Sequence, residues 1–257
     1  MRPIITLLTD FGTADGYVAE MKGVLLSLAP EATLVDVTHD IVPQDVESGR
    51  LALARYWRRF PPGTVHLAVV DPGVGSARAA LAVASEGRAL VGPDNGVLSP
   101  ALLAPGAIAV ALPVPPRASS TFHGRDVFAP AAARLALGES PDALGTPLDT
   151  PIVRRTPEAH RLPDGGIVGE VIAIDRFGNA ITNLMTRAPA GVVAIGEAEV
   201  PIRRVYADAP PGSTVAVTGS NGLLEIAVRG GSAAVRLGIA RGARVVLRAR
   251  PEVSDGS

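Results

Sequence analysis

The sequence contains no cysteine and only one lysine, Lys22, among its 257 residues. The absence of cysteine excludes thiol nucleophiles, thiolate metal ligands and disulfide bridges. The scarcity of lysine removes most Schiff-base chemistry and most phosphate-binding loops, because both depend on a lysine ammonium group. Hydrophobic residues make up 47% of the chain and charged residues 19%, which is typical of a folded globular protein without a long disordered tail.

A strong net charge and a long hydrophobic run are also missing. The formal net charge of −1 gives no electrostatic reason to expect binding to nucleic acid or to an anionic membrane. The first apolar run, at residues 4–8, is too short for a signal peptide or a membrane span, and Asp10 follows it closely. We therefore expect a soluble, cytoplasmic protein that binds neither nucleic acid nor membranes.

The first half of the chain alternates strand-like and helix-like segments. The strand-like segments are "IITLL", "TLVDV", "VHLAVV", "ALAVAS" and "IAVAL", and "GYVAEMKGVLLSLAP" and "ESGRLALARYWRRF" have helical spacing. A third helix is expected from about Asp126, as its N-cap, to Gly138. This alternation predicts an α/β domain over residues 1–150 with a mostly parallel sheet. Ligands of such sheets bind beyond the carboxyl ends of the strands, where Asp10 and Asp71 lie.

The second half of the chain has a different character. Residues 151–166, which include "TPEAHRLPDGG", are irregular and are interpreted as a linker. Residues 167–257 contain short strand-like segments separated by glycine-rich turns, with no convincing helix. This pattern predicts a small all-β domain, either a barrel or a sandwich.

Several common motifs can be excluded. The "GVGSAR" stretch resembles the start of a dinucleotide-binding loop, but Arg78 stands at the third glycine position and a strand rather than a helix follows. The chain has no phosphate-binding loop, no nucleophile elbow and no H-E-x-x-H sequence. A metal site assembled in space from His39, Asp40 and other residues receives no support from their spacing. The histidines are scattered, at His39, His66, His123 and His160.

Four polar stretches stand out against this apolar background: "LLTDFGTADGY", "VVDPGVGSAR", "VGPDNGV" and "TFHGRD". Proline, glycine and asparagine in these combinations are ordinary turn residues, and for "GPDNG" a turn is the favoured interpretation. Asp10 and Asp71 each end a buried strand, where a carboxylate is costly without a partner. For these two residues, turn chemistry and a functional role both remain open.

Together with "IDRFGNAITN" and "GSNGLLEIA", these stretches resemble the S-adenosyl-L-methionine (SAM) hydroxide adenosyltransferases, which are adenosine-forming SAM hydrolases related to fluorinase and chlorinase. The resemblance covers nearly the whole chain. It implies an N-terminal α/β domain, a C-terminal β-barrel and a homotrimer that holds SAM between the N-terminal domain of one subunit and the C-terminal domain of the next. The implied reaction is hydrolysis of SAM to adenosine and L-methionine, with SAM as substrate and no metal or other cofactor.

The resemblance also implies which residues act. Asp71, Arg78 and His123 would be the catalytic set that activates a water for attack on the ribose C5′ of SAM. Because methionine leaves as a neutral thioether, the site needs an oriented, activated water and no general acid. Whether Asp71 or His123 is the formal base stays open. The implied substrate-binding residues are Asp10 for the ribose hydroxyls, Asn179, Ser220 and Glu225 for the adenosine or methionine portion, Val228 through its backbone, and Asp175, for which a turn carboxylate is the alternative explanation.

Two alternative functions compete with the hydrolase. The first is a SAM-dependent halogenase, but the halogenating relatives carry tyrosine in place of Asp71 and His123, and fluorinase carries a serine at Gly124 and an additional loop. A charged Asp71 would also repel a halide ion. The second is a non-catalytic sensor of SAM or adenosine, which would not need to keep Asp71, Arg78 and His123 together. Hydrolysis is therefore the favoured function.

Overall fold

The computed structural model describes residues 2–186 and 191–248. The chain divides between Arg155 and Thr156 into two compact units, and this division falls within the segment 151–166, interpreted above as a linker. The elements of the first unit are β1 (Ile4–Thr9), α1 (Tyr17–Leu28), β2 (Thr33–Thr38), α2 (Val46–Tyr56), β3 (Val65–Val69), β4 (Ala80–Ser85), β5 (Arg88–Pro93), α3 (Ser99–Leu102), β6 (Ile108–Leu112), α4 (Ala129–Ala136) and β7 (Thr146–Pro147).

The first unit is built on a mixed sheet with the strand order β2-β1-β3-β5-β4-β6-β7. The pairs β1–β2, β1–β3 and β3–β5 are parallel, whereas β4–β5, β4–β6 and β6–β7 are antiparallel. The prediction of a mostly parallel sheet is therefore wrong. The antiparallel pairing of β4 with β5 follows from the two-residue turn between them, in which Glu86 and Gly87 have φ angles of +47° and +71°. Two positive φ angles in succession make a tight hairpin, and a hairpin joins antiparallel strands.

The sheet of the first unit is covered on both faces. Alternate side chains of a strand point to opposite faces, so the neighbours Leu7 and Leu8 enter different cores. Leu7 packs in the core that includes Met21 of α1 and Ala132 of α4. Leu8 packs in the core that includes Leu53 of α2. Leu7 and Leu8 are fully buried, and burial of each stabilises the fold by about 1.5–3 kcal/mol.

The segment before α4 differs from its prediction. One turn of π-helix, Gly124–Phe128, precedes α4, so the α-helix itself begins at Ala129. Asp126 does not cap the helix, because its carboxylate accepts a hydrogen bond from the Ser119 backbone N–H at 2.8 Å. Wide turns of this kind occur mostly as short insertions, often at functional sites.

The second unit is an antiparallel sheet with the strand order β12-β11-β15-β9-β10-β14-β13, and β8 pairs with β9. A backbone bridge between Ile202, just after β12, and Ala216 of β13 brings the two edge strands together, so the sheet is nearly closed and resembles a barrel. Its strands are β8 (His160–Arg161), β9 (Ile167–Ile174), β10 (Ala180–Thr182), β11 (Val192–Ile195), β12 (Ala198–Pro201), β13 (Thr214–Thr218), β14 (Leu224–Val228) and β15 (Arg244–Arg248).

The prediction of a small all-β domain is confirmed in its main feature, with two corrections. The strand β8 lies inside the segment interpreted as a linker. A one-turn helix, α5 (Ala233–Leu237), is capped at its N-terminus by Ser232, whose side chain accepts the Val235 N–H. A helix of five residues is too short to show a 3.6-residue period in the sequence. None of the helices in the described ranges has the length and apolar character needed to cross a membrane.

Candidate active site

Asp10 and Asp71 lie at the same edge of the mixed sheet. Asp10 follows β1 directly and Asp71 follows β3, and these strands are parallel neighbours with Thr9 opposite Val69. Burial raises the pKa of Asp10, and the nearby charge of Asp71 raises it further. The structure therefore brings together two carboxylates that are distant in sequence, as expected for the carboxyl ends of adjacent parallel strands.

Arg78 connects the other two predicted catalytic residues. Its Nε donates a hydrogen bond to Oδ1 of Asp71 at 2.9 Å, and its Nη2 donates to Oδ2 of the same carboxylate. Nη2 also lies 2.9 Å from Nδ1 of His123. The side chains of Asp71 and Arg78 are only 4% and 8% exposed. A two-point contact of this kind fixes both the distance and the plane of the two groups.

The contact with Arg78 also determines the protonation pattern of His123. A guanidinium has only donors, so Nδ1 of His123 must accept, and the neutral imidazole carries its proton on Nε2. Burial and the positive charge of Arg78 lower the pKa of His123, against the opposing effects of the carboxylates of Asp71 and Asp126. His123 is therefore a neutral imidazole near pH 7, with an Nε2–H available as a donor.

Two features of the backbone and the core bring Arg78 and His123 together. A Cβ atom at Gly75 would collide with the carbonyl oxygen of Ser120, so glycine allows the loop that carries Arg78 to lie against the segment before His123. The guanidinium carbon of Arg78 lies 5.2 Å from the ring centroid of the fully buried Phe128. A cation over an aromatic face is favourable, so Phe128 stabilises Arg78 in this position.

The Asp10 carboxylate is held by a backbone group that the sequence did not indicate. Its Oδ2 accepts the N–H of Gln44 at 2.7 Å. Gln44 has a φ of +67°, a left-handed conformation that costs a non-glycine residue of the order of 1–3 kcal/mol. Glutamine is not a residue type that is typical of such turns, so no signal in the sequence could have identified the contact between Gln44 and Asp10.

A groove of about 400 Å³ opens in the first unit. Three aromatic rings meet there edge to face, with centroid distances of 5.2 to 6.0 Å. A groove with apolar rings and charged side chains suits a ligand with a planar or apolar portion and polar groups. None of its residues was predicted from the sequence, although two of them adjoin the predicted Asp10 and His123. The groove is lined by Phe11, Tyr17, Glu20, Ser119, Thr121, Phe122 and Arg125.

Arg125 has a structural role in this region. Its Nε donates to Oδ1 of Asp126 and its Nη1 to Oε2 of Glu20, each at 2.7 Å. The carboxylate of Asp126 also holds the backbone of Ser119, as described above. Through these hydrogen bonds, Arg125 and Asp126 hold the segment that carries His123 against helix α1.

In the second unit, Asp175 and Asn179 form one hydrogen-bonded turn. Oδ1 of Asp175 accepts the backbone N–H groups of Phe177 at 2.9 Å and of Asn179 at 2.8 Å. The Asn179 side chain donates to Oδ2 of Asp175 at 2.9 Å. These contacts agree with the alternative explanation given above for Asp175, in which its carboxylate stabilises a turn. The same contacts fix the side chain of Asn179.

Glu225 lies close to this turn, beside a tyrosine that was not predicted from the sequence. The hydroxyl of Tyr206 donates to Oε2 of Glu225 at 2.9 Å. Burial and the negative charge of Glu225 raise the pKa of Tyr206 to about 12, and Asp175 contributes in the same direction. Glu225 also lies against Gly219, where a Cβ atom would collide with its carboxylate, and the exposed Ser220 follows this glycine.

Val228 does not join this group. It lies at the end of β14, and its side chain packs in the barrel core with Ile226. Glu225 is three residues away and therefore points to the opposite face of the strand. The carbonyl oxygen of Val228 accepts the Gly231 N–H at 3.1 Å and keeps a second lone pair.

The remaining histidine candidates have structural contacts. His39 Nδ1 lies 2.8 Å from the Thr9 hydroxyl, and its Nε2 lies 3.1 Å from Asp36 Oδ1. Burial and the charge of Arg88 lower the pKa of His66 to about 4, so it stays neutral in the core. Within residues 2–186 and 191–248, no group of three or more histidine, aspartate or glutamate side chains could hold a metal ion.

Comparison with known families matches both units. The model of the SAM hydroxide adenosyltransferase N-terminal domain matches residues 5–145. The model of the C-terminal domain of the same family matches residues 169–246. The two matches together cover most of the chain, and the boundary between the two units lies in the interval between them.

Individual relatives agree with this result. The chain is 47% identical to the (R)-S-adenosyl-L-methionine hydrolase of Thermus thermophilus over 260 residues, which cover 96% of this chain and 100% of that protein. The fluorinase of Actinopolyspora mzabensis is more distant, at 31% identity over 95% of this chain and 96% of that protein. The crystal structure of a conserved hypothetical protein from Thermus thermophilus superposes with a TM-score of 0.82 at 45% identity, covering 96% of this chain and 100% of that one. The chain therefore belongs to the SAM hydroxide adenosyltransferase family.

Proposed function

We propose that the protein hydrolyses S-adenosyl-L-methionine to adenosine and L-methionine. The observation that carries this proposal is the contact of Asp71 and Arg78, which flank one loop, with His123 from a distant part of the chain, in one buried cluster. A protein that only senses SAM would have no need for this cluster. The names of the relatives agree with it, since (R)-SAM hydrolase is the name of the protein with 47% identity.

The proposed reaction is a single displacement at the ribose C5′. The oxygen of a bound water forms a bond to C5′ while the bond from C5′ to the sulfonium sulfur breaks. The electron pair of that bond goes to sulfur, which leaves as the neutral thioether of methionine. The water loses one proton, so the site must supply an acceptor for it and hold the oxygen in line with the C5′–S bond.

The hydrogen bonds of Arg78 support different roles for Asp71 and His123. Because Arg78 occupies Nδ1 of His123, the imidazole can donate from Nε2 and orient the water, but it has no free lone pair to take the proton. Each oxygen of Asp71 accepts one hydrogen bond from Arg78 and keeps a second lone pair. We therefore assign Asp71 as the proton acceptor and His123 as the group that orients the water.

The substrate-binding roles follow the same resemblance. Asp10, held at one oxygen by Gln44, would accept hydrogen bonds from the ribose hydroxyls. In the second unit, Asn179, Ser220 and Glu225 would contact the adenosine or methionine portion. Val228 would contribute through its backbone and Asp175 through the turn that it forms with Asn179, where its carboxylate is also explained as a turn group.

We further propose a cytoplasmic homotrimer that works without a metal or redox cofactor. In this arrangement residues 1–150 carry the catalytic groups, and residues 167–257 of a neighbouring subunit complete the nucleoside site. The charge of Asp71 supports hydrolysis over halogenation, because a carboxylate in a site of low dielectric repels a halide ion.

Chromatography of the products tests this function. Purified protein incubated with SAM should release adenosine and methionine in equal amounts, at the same rate with or without added chloride. Replacement of His123 by alanine should suppress the release and leave binding of the nucleoside detectable, because Asp10 and the second unit are unchanged. Chloride-dependent formation of 5′-chloro-5′-deoxyadenosine would identify a halogenase instead. Binding of SAM without any product would identify a sensor.

A further inference from the structure

The "GPDNG" stretch begins with the last two residues of β5 and forms a turn that contacts both residues flanking the loop 71–78. The side-chain amide of Asn95 donates to the carbonyl oxygen of Val70 at 2.8 Å. The amide oxygen of Asn95 accepts the N–H of Val97 at 3.1 Å, which fixes the rotamer of Asn95 within its own turn. Val70 immediately precedes Asp71, so this contact holds the chain at the start of the catalytic loop.

The preceding residue of the same turn holds the other end of that loop. The backbone N–H of Asp94 donates to the carbonyl oxygen of Ala79 at 2.9 Å. Ala79 directly follows Arg78. Oδ1 of Asp94 accepts the N–H of Ile152 at 2.7 Å, and Asp94 is only 8% exposed. Two consecutive residues of one turn therefore hold the residues that flank the loop 71–78.

The Asn95 contact lies just beyond the end of the sheet pairing of β3, which continues to Val69 on the side of β1 but ends earlier on the side of β5. The pairing of β3 with β5 ends at Leu67 opposite Val91, three residues before Val70. Beyond that point the Asn95 side chain takes the place of a strand partner for the Val70 carbonyl. A buried carbonyl without a partner is costly, so the chain at Val70 has a strong preference for this position.

We propose that Asn95 is a positioning residue that acts through the Val70 carbonyl to set the place of the Asp71 carboxylate against Arg78. This inference rests on the proposed function, since it assigns a role in the same reaction. Asn95 itself makes no hydrogen bond to Asp71, Arg78 or His123 within the described residues. Asn95 therefore acts on the reaction indirectly, and its replacement should change kcat while KM for SAM changes little.

The test compares Asn95 with a neighbour that stabilises the same turn from the other side. Ser99 is fully buried, donates to the Gly96 carbonyl at 2.6 Å and accepts the Arg154 N–H at 2.8 Å. Asn95→Leu should lower kcat by about 10- to 100-fold while KM for SAM stays within about threefold. Ser99→Ala should lower the unfolding temperature about as much as Asn95→Leu does, but it should leave kcat within about twofold of the wild-type value. If Asn95→Leu does not fold, Asn95→Ala makes the same comparison.

A second readout does not depend on activity. His123 accepts a hydrogen bond from Arg78, so its titration, followed by NMR, reports where the guanidinium lies. In Asn95→Leu, Arg78 moves away from the imidazole and the pKa of His123 rises toward its ordinary value, whereas in Ser99→Ala it stays at the wild-type value.

The proposal requires that Asn95→Leu both lowers kcat and raises the pKa of His123. It is overturned if Asn95→Leu keeps the wild-type kcat, if the His123 titration does not move, or if Ser99→Ala lowers kcat equally. A wild-type protein that releases no adenosine would instead refute the proposed function, and the His123 titration would then decide the positioning role alone.

Discussion

Asp71→Asn should lower kcat for adenosine release by about 10²- to 10⁴-fold, which is the usual contribution of a positioned general base. The substitution keeps the shape of the side chain, and the amide oxygen can still accept one hydrogen bond from Arg78. It replaces the other carboxylate oxygen with an amide nitrogen, which has no lone pair to take the proton of the water. Steady-state rates measured by product chromatography, with a binding isotherm for SAM, separate loss of chemistry from loss of binding.

The matched variant for this prediction is His123→Asn. Asparagine retains an N–H donor that can orient the water, so the loss in kcat should be smaller, about tenfold. The rate of the wild-type enzyme should fall as the pH drops below the pKa of His123, because protonation of Nδ1 breaks its contact with Arg78. Burial and Arg78 hold that pKa below its ordinary value, so the fall occurs on the acid side of about pH 6.5. A larger loss in His123→Asn than in Asp71→Asn would make His123 the base.

Arg78→Met should lower the free energy of unfolding by about 3–5 kcal/mol, because it leaves the buried carboxylate of Asp71 without its partner. The Asp71 side chain is only 4% exposed, so solvent cannot replace the two lost hydrogen bonds. The double variant Asp71→Asn/Arg78→Met removes the unpaired charge and should recover most of this loss. Denaturant unfolding of the wild type, both single variants and the double variant measures the coupling between the two residues.

Arg134→Met provides the control for this prediction. Arg134 pairs with Glu139 at 2.6 Å, but their side chains are 47% and 40% exposed. An exposed pair of this kind contributes about 0–1 kcal/mol, so the free energy of unfolding should change little. If Arg78→Met and Arg134→Met have the same small effect, the Asp71–Arg78 pair is not the buried, mutually dependent pair described here.

The sequence selected the residues that meet in the buried Asp71–Arg78–His123 cluster but did not show which groups position it. Asp71, Arg78 and His123 belong to conspicuous polar stretches in an apolar chain, and their resemblance to a family was sufficient to select them. The groups that position Asp10 and the start of the loop 71–78 give no comparable signal. Gln44 acts through a backbone N–H in an unusual conformation, and any residue type offers that group. Asn95 looks like an ordinary turn residue, and its contact with Val70 depends on tertiary structure.

The errors in the predicted fold also come from features that depend on tertiary structure or on uncommon turn residues. The period of the apolar residues identified five strands of the mixed sheet but missed β5 and β7, and the direction of a strand depends on the connection before it. Glu86 and Gly87 form a tight turn although glutamate is not a residue that marks such turns, so the hairpin was not recognised. The third helix was expected from about Asp126, whereas α4 begins at Ala129 with Pro130 in its first turn, because the π-helical turn before it depends on how the segment packs.

The origin of the oxygen in the product tests the central claim most directly. The reaction should be run in water labelled with a heavy oxygen isotope, and the adenosine and methionine should be analysed by mass spectrometry. If a water activated at Asp71 attacks C5′, the label appears in the 5′-hydroxyl of adenosine in a single turnover and is absent from methionine. Unlabelled adenosine, or a nucleoside product that retains its bond to sulfur, would contradict the mechanism.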